Sequence, residues 1–148
     1  ISKNLPFDPI ELGNLDAKRD WSDSEDFVDG VWKMLNQEKP KDYVLSSDET
    51  HSIRDFIEKA FETVNINGAW HGKRVKEEFS LTHDYVIHNT VQSSVLVKIN
   101  EKFYRPAEVE LLLGDSTPAR KELNWQPKIS FDKLVSKMVR FDVDNFEK

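Results

Sequence analysis

Apolar residues recur at helical spacing in three stretches of the chain, each bounded by capping or breaking residues. Phe27, Val31, Met34 and Leu35 share one face ahead of Pro40, with Ser22 and Glu25 at capping-box spacing, which predicts a helix at about 23–37. Ile53, Phe56, Ile57, Ala60, Phe61 and Val64 make a broader stripe. Ser52 and Asp55 open it and Asn67-Gly68 marks its end, so a second helix starts from Ser52. Phe131, Leu134, Val135, Met138 and Val139 predict a last helix capped by Ser130, with Lys133, Lys137 and Arg140 suited to its later turns. Thr117 as cap with Pro118 at the first helical position predicts a shorter one through Ala119 and Leu123 to the Trp125 corner. A brief helical stretch is also expected from Ala107 to Leu112, stopped by Gly114-Asp115.

Strand signals are fewer. Val91, Ser93, Val95, Val97 and Ile99 alternate with Gln92, Ser94, Leu96 and Lys98, the pattern of a strand with one wetter face. Tyr43-Val44-Leu45 is aromatic and β-branched and fits a short buried strand. From Trp70 to Thr90 only a turn at His71-Gly72-Lys73 is legible, and Pro6, Pro9 and Gly13 make the first twenty residues turn-rich. Helices alternating with so few strands indicate an α/β chain that can look α+β, with too few strands for a complete doubly wound sheet.

Composition narrows the function classes. The 148 residues, 38% hydrophobic and 32% charged, suit one globular domain of ordinary size. Lys and Arg number 21 against 27 Asp and Glu, a formal charge of -6, so no basic face for nucleic acid is expected. No apolar run approaches a membrane span. The absence of cysteine removes disulfides, thiolate metal sites and a cysteine nucleophile, and fits a reducing, cytoplasmic compartment. The chain opens Ile1-Ser2-Lys3 with no initiator methionine, which predicts a piece of something longer.

The signatures of a self-contained active site are missing. The five glycines lie at 13, 30, 68, 72 and 114, too far apart to cradle a pyrophosphate, and no P-loop, H-E-x-x-H or G-x-S-x-G occurs. His83 and His88, with His71 and His51 elsewhere, allow a zinc site to be drawn, but loosely spaced imidazoles more often serve surface or hydrogen-bonding roles. Asp16, Asp20, Asp23, Glu25, Asp26 and Asp29 could offer carboxylates to calcium, and the plainer reading is a solvated helix start whose acids favour the N-terminal dipole. Arg19, beside Trp21, and Arg105, between Tyr104 and Pro106, stand next to rigid or aromatic neighbours. Their forked guanidinium groups could clamp a diphosphate, or each could pair with a carboxylate or cover apolar surface.

Four ordered blocks carry a family resemblance. Leu12-Gly13-Asn14-Leu15-Asp16-Ala17-Lys18-Arg19-Asp20-Trp21, Glu49 to Phe56, Phe103-Tyr104-Arg105-Pro106-Ala107-Glu108-Val109 through Asp115, and Leu123 to Phe131 resemble the GDP-mannose 4,6-dehydratases of the extended short-chain dehydrogenase/reductase superfamily. The resemblance implies that residues 1–148 are the C-terminal, nucleotide-sugar-binding portion, lacking the N-terminal Rossmann domain that holds NADP. Arg19 and Arg105 occupy its phosphate-clamp positions, Glu108 matches the acid that accepts ribose hydroxyls, and Asn14 and Lys18 fall at the pocket edge. It implies GDP-mannose or a related nucleotide sugar as ligand, a homo-oligomeric parent, and conversion to GDP-4-keto-6-deoxymannose by oxidation, dehydration and reduction. None of the catalytic positions lies in this chain, so these residues alone are expected to catalyse nothing.

The chain departs from the family at Ser22-Asp23, where Gly-His is usual, and over Val75–Ser94. Two other readings stand beside the dehydratase: a standalone nucleotide-sugar-binding or scaffolding module, and a related epimerase or reductase. Without the Rossmann half, apolar faces near Phe27 and Phe56 are expected to lie open and to promote self-association.

Overall fold

Local caps set the helix boundaries, and distant partners set everything else. The computed structural model describes residues 7–82, 86–87, 90–91, 95–105 and 111–146, the two short pairs by backbone alone. In chain order the elements are β1 (Ile10–Leu12), β2 (Lys18–Arg19), α1 (Ser24–Leu35), β3 (His51–Ser52), α2 (Ile53–Thr63), β4 (Gly68–His71) and β5 (Glu78–Leu81). Then follow β6 (Val86–Ile87), β7 (Thr90–Val91), β8 (Val95–Ile99), α3 (Thr117–Leu123) and α4 (Phe131–Asn145). They divide into two compact units, one of residues 1–15 and 64–108, the other of residues 16–63 and 109–148. No helix among the described residues is long and apolar enough to cross a membrane.

The helical unit is built around Trp125. Its ring is fully buried with Ala119 and Leu123, and Phe27, Met34, Tyr43 and Leu45 pack onto that cluster. The indole N–H donates to the Asp26 carbonyl at 2.8 Å. The Asp26 carboxylate in turn accepts the backbone N–H groups of Lys128 and Ile129 at 2.9 and 3.0 Å, so the segment after α3 is bonded to α1 at both ends. Gly30 makes that approach available: a Cβ there would stand 2.6 Å from a Leu45 methyl and 3.0 Å from the Trp125 nitrogen. A second aromatic group joins α2 to α4, with Trp21 at 5.4 Å and Phe131 at 6.1 Å from the Phe56 ring.

Part of the acidic run is the solvated helix start that its composition suggests, with Asp16 and Glu25 exposed and Glu25 in the first turn of α1, but two of its acids are not. Asp23 and Asp26 are buried, 2% and 4% exposed. Asp23, not Ser22, caps α1 by accepting the Glu25 N–H, and it also takes the Lys137 ammonium of α4 at 2.9 Å. That ammonium, and then the Glu25 N–H, hold the Asp23 carboxyl below the usual carboxylate range against the opposing effect of burial. Because the folded value is depressed, the stabilisation is present above about pH 4 and is lost as pH falls through the folded-state value. Asp23→Asn is expected to flatten that acid limb in urea titrations run across pH.

At α2 the reciprocal capping box forms as the spacing predicts. The Asp55 N–H donates to the Ser52 hydroxyl at 3.1 Å, and the Ser52 N–H donates to the Asp55 carboxylate at 2.8 Å. Ser52→Ala is expected to cost about 1 kcal/mol by chemical denaturation. The helix ends earlier than Asn67-Gly68: Asn65, with φ 58°, takes the left-handed turn after Thr63, and Gly68 opens β4. α3 is displaced by one residue from expectation, with Ser116 at the cap position, because the Thr117 N–H is taken by Asp115. Ser130 does stand at the cap of α4 but through its backbone, its carbonyl accepting the Leu134 N–H, with no side-chain cap bond. Met138 is 47% exposed, so the buried stripe of α4 rests on Phe131, Leu134 and Val135.

The other unit holds a four-stranded sheet in the order β1-β8-β5-β4, with β1 parallel to β8 and the remaining pairs antiparallel. Val97 pairs with both Ile10 and Phe79, and these strands bury Phe79, Leu96 and Val97. Leu96, placed by alternation on the wetter face, is 3% exposed, so neither side of β8 is wet at that level. β4 and β5 fall in the region without legible periodicity and form around the turn at Gly72, whose φ is 85°. Val91 belongs to β7, paired with β6, and the expected continuity from Val91 to Ile99 crosses residues outside those described.

Two expected elements differ. Tyr43-Val44-Leu45 joins no ladder among the described residues. Of the helix expected over 107–112, residues 107–110 lie outside those described, while Leu111 makes a parallel bridge with Lys18 and the Leu112 N–H donates to the Lys18 carbonyl. That last piece is an added edge on β2.

Candidate functional site

The first arginine of the expected clamp is set by a short ladder. β2 pairs antiparallel with β3, placing Arg19 opposite His51, and the Leu111 bridge lies on Lys18. Arg19 is half-buried, and its guanidinium donates to the Lys18 carbonyl at 2.7 Å. It reaches an open cavity of about 370 Å³ in the helical unit, where Asp20 and Ser46 supply the other polar walls. Phe27, Leu45, Leu112 and Leu113 supply the apolar ones. A permanent cation beside a hydroxyl and a mainly apolar wall is a setting for an anionic group attached to a less polar body.

Asp20 fixes the cavity floor. Its carboxylate accepts the Ser47 N–H at 3.0 Å and hydroxyl at 2.6 Å, and the Asp48 N–H at 3.2 Å. Asp48, in left-handed backbone at φ 65°, accepts the hydroxyls of Ser46 and Ser116, each at 2.8 Å, and pairs with Arg120 at 2.9 Å. Burial pushes the Asp48 carboxyl up, and the Ser46 and Ser116 hydrogen bonds outweigh it, so the group stays below the usual range. With Ser116 fully buried, this is a structural network that holds Ser46, one of the cavity walls.

The remaining expected site residues are divided between the two units. Lys18 is exposed on β2, in the same unit as Arg19. Asn14 and Arg105 belong to the sheet unit, on neighbouring stretches of chain: any Cβ at Gly13 would overlap the Phe103 carbonyl, and the Leu12 carbonyl accepts the Asn100 N–H at 2.8 Å. Arg105 is exposed, and Glu108 lies outside the described residues. Sequence reasoning missed Ser46, Leu112 and Leu113 as cavity walls, the first because it sits in a turn without periodicity and the leucines because they read as a helix face.

The histidines take plain roles where described. The His51 ring lies parallel to Phe131 with centroids 3.8 Å apart, and His71 ends β4 at the surface. His83 and His88 lie outside the described residues, and among the described ones no group of three or more His, Cys, Asp or Glu could hold a metal ion. A Cβ on each of the five glycines would meet the chain's own atoms within 3 Å, so the close approaches at these glycines are filled by the chain itself.

Solved structures share the fold. The chain aligns with UDP-glucose 4-epimerase of Thermotoga maritima, solved with UDP-glucose, at TM-score 0.66 and 12% identity, covering 93% of this chain and 36% of that one. It aligns with dTDP-glucose 4,6-dehydratase of Bacillus anthracis, solved with NAD, at TM-score 0.61 and 14% identity, covering 94% and 35%. The chain has the α/β fold of about a third of each of these nucleotide-sugar enzymes.

The sequence relationship is closer. The GDP-mannose 4,6 dehydratase of Dictyostelium discoideum is 47% identical over 135 residues, 91% of this chain and 36% of that protein. That of Drosophila melanogaster is 45% identical over 139 residues, 94% of this chain and 33% of that protein. The family model described as GDP-mannose 4,6 dehydratase matches residues 3–138, and the chain belongs to that family. It spans about a third of the length of the relatives it matches.

Proposed function

We propose that this chain is the nucleotide-sugar-binding share of a GDP-mannose 4,6-dehydratase, which converts GDP-mannose to GDP-4-keto-6-deoxymannose with loss of one water. The observation that carries the reading is the family match across residues 3–138 together with Arg19 in a cavity of the helical unit. In this reading Arg19 and Arg105 bind the diphosphate oxygens through paired N–H groups, Glu108 accepts from the ribose, and Asn14 and Lys18 border the pocket. The nicotinamide cofactor, read as NADP, belongs to the part of a dehydratase-length chain outside these residues, whose own glycines leave no cradle for it.

The test starts from the natural protein. An antibody against these residues should detect a product of about three times 17.3 kDa, in keeping with the share of each relative covered. That product, purified, should turn GDP-mannose into a product lighter by one water. A natural product of 17.3 kDa that binds nucleotide sugar without turnover would replace the dehydratase with a binding module.

A further inference from the structure

Exposed apolar surface and exposed charge are both unevenly placed. The open faces expected near Phe27 and Phe56 are corrected, since both rings are packed within the helical unit and the exposed stripe of α1 is Val28, Val31, Trp32 and Leu35. The charge is more informative. In a chain of formal charge -6, Lys73, Arg74 and Lys76 stand together, exposed, at the turn between β4 and β5. Lys41, Lys59, Lys98 and Lys137 each hold a carboxylate, whereas no ion pair among the described residues takes the three side chains of the turn.

The turn holds those cations in a fixed place. Gly72 and Arg74 both have left-handed backbone, at φ 85° and 55°, and any Cβ at Gly72 would overlap the Lys76 carbonyl. The Lys76 N–H donates to the Lys73 carbonyl at 3.3 Å and the Glu77 N–H to the Arg74 carbonyl at 3.0 Å, so the turn closes on itself. An arginine takes left-handed backbone at a cost, and such positions concentrate where ligands are handled.

Register puts this turn at one end of the sheet. β8 runs toward Asn100, and β1 runs parallel to it with Leu12 opposite Ile99, so Gly13-Asn14 leaves at that end. β5 runs the other way and starts there, with Glu78 opposite Lys98 and the Glu77 carbonyl accepting the Ile99 N–H at 3.2 Å. Beyond β8 the chain stays close, its Phe103 carbonyl packed on Gly13, and reaches the exposed Arg105. Lys73, Arg74 and Lys76 therefore share one end of the sheet with Asn14 and Arg105, the described residues of this unit that the nucleotide-sugar reading assigns to the ligand. A diphosphate approaching a chain of net negative charge is repelled at long range, and a local group of cations reverses that sign where it must enter. Three cations on one turn make no track for a polynucleotide and suit a single compact anion.

We propose that the β4–β5 turn, through Lys73, Arg74 and Lys76, is an electrostatic capture element that draws a nucleoside diphosphate to the Arg105 end of the sheet. It acts on the approach of the ligand, not as a bonding contact once the ligand is seated. The inference rests on the nucleotide-sugar reading for the identity of the anion.

The experiment is stopped-flow association of GDP with the natural protein that carries these residues, at about 20 mM and about 500 mM salt, where exposed charges are weakly and strongly screened. Lys73→Gln/Arg74→Asn/Lys76→Gln removes the charge, with asparagine chosen because it accepts left-handed backbone. Its association rate should fall about tenfold at low salt, the gap should close at high salt, and the dissociation rate should stay the same. Lys73→Arg/Lys76→Arg keeps the charge and should associate as fast as the unaltered protein. Equal association rates at low salt overturn the proposal. So does a gap that survives high salt, which makes the turn a bonding or folding element, and so does a slowed double-arginine variant, which removes charge as the cause. UDP separates capture from the dehydratase reading. The same salt-dependent gap for GDP and UDP without turnover of GDP-mannose leaves capture standing and removes the dehydratase, whereas turnover of GDP-mannose with no gap does the reverse. A protein that binds neither nucleotide removes both.

Discussion

Replacing Trp125 by alanine is expected to lower the stability of the helical unit by about 3–5 kcal/mol, the range for deleting a large aromatic side chain from a core. Trp125 is 0% exposed, carries the cluster of Ala119 and Leu123, and donates its indole N–H to the Asp26 carbonyl. Alanine would leave a void between α1 and α3 and a buried carbonyl without its donor. Trp125→Phe separates the two effects. It keeps most of the volume and loses the bond, for about 1–2 kcal/mol. Urea denaturation followed by far-ultraviolet circular dichroism, which does not depend on the removed fluorophore, checks both. A loss under 1 kcal/mol for the alanine variant would mean the cluster is not the unit's keystone.

Arg19→Ala and Arg105→Ala, each made in a dehydratase-length protein, are expected to weaken GDP binding by about tenfold to a hundredfold, as loss of a charge-assisted hydrogen bond to an oxyanion does. Lysine at either position should recover part of the affinity, since it keeps the charge and loses the fork. Melting temperature is the control. Arg19 donates to the Lys18 carbonyl of its own strand, and a melt that falls together with affinity would assign the loss to folding rather than to the diphosphate contact. Unchanged GDP affinity for Arg105→Ala would dismiss the diphosphate clamp, while the family membership, which rests on residues 3–138, would stand.

Much of the candidate site was legible only through resemblance. Arg19 stood out chemically as a guanidinium beside an aromatic corner, but nothing local says that Leu112 and Leu113 wall the same cavity. They do so because Lys18 recruits Leu111 across 93 positions into a parallel bridge, a pairing with no signature in either segment. Asp20 is similar. In sequence it is one acid of many, and its part in holding Ser47 and Asp48 depends on a loop 27 positions away.

What the sequence determined by itself was the local part of this protein: α1, the Ser52–Asp55 capping box of α2, the α4 stripe from Phe131 to Val135, and the turn at Gly72. In each case the hydrogen bonds that form the helix, cap or turn lie within four residues, so spacing alone encodes them. The tertiary structure decided which acids are buried, which face of α1 is covered, that β4 and β5 exist, and that Tyr43–Leu45 has no ladder among the described residues. Those outcomes turn on partners far along the chain: Asp23 waits for Lys137, Asp26 for Lys128 and Ile129, and β5 for β8. A strand or a buried carboxylate is stable only when its hydrogen bonds are completed from elsewhere, which no local pattern can specify.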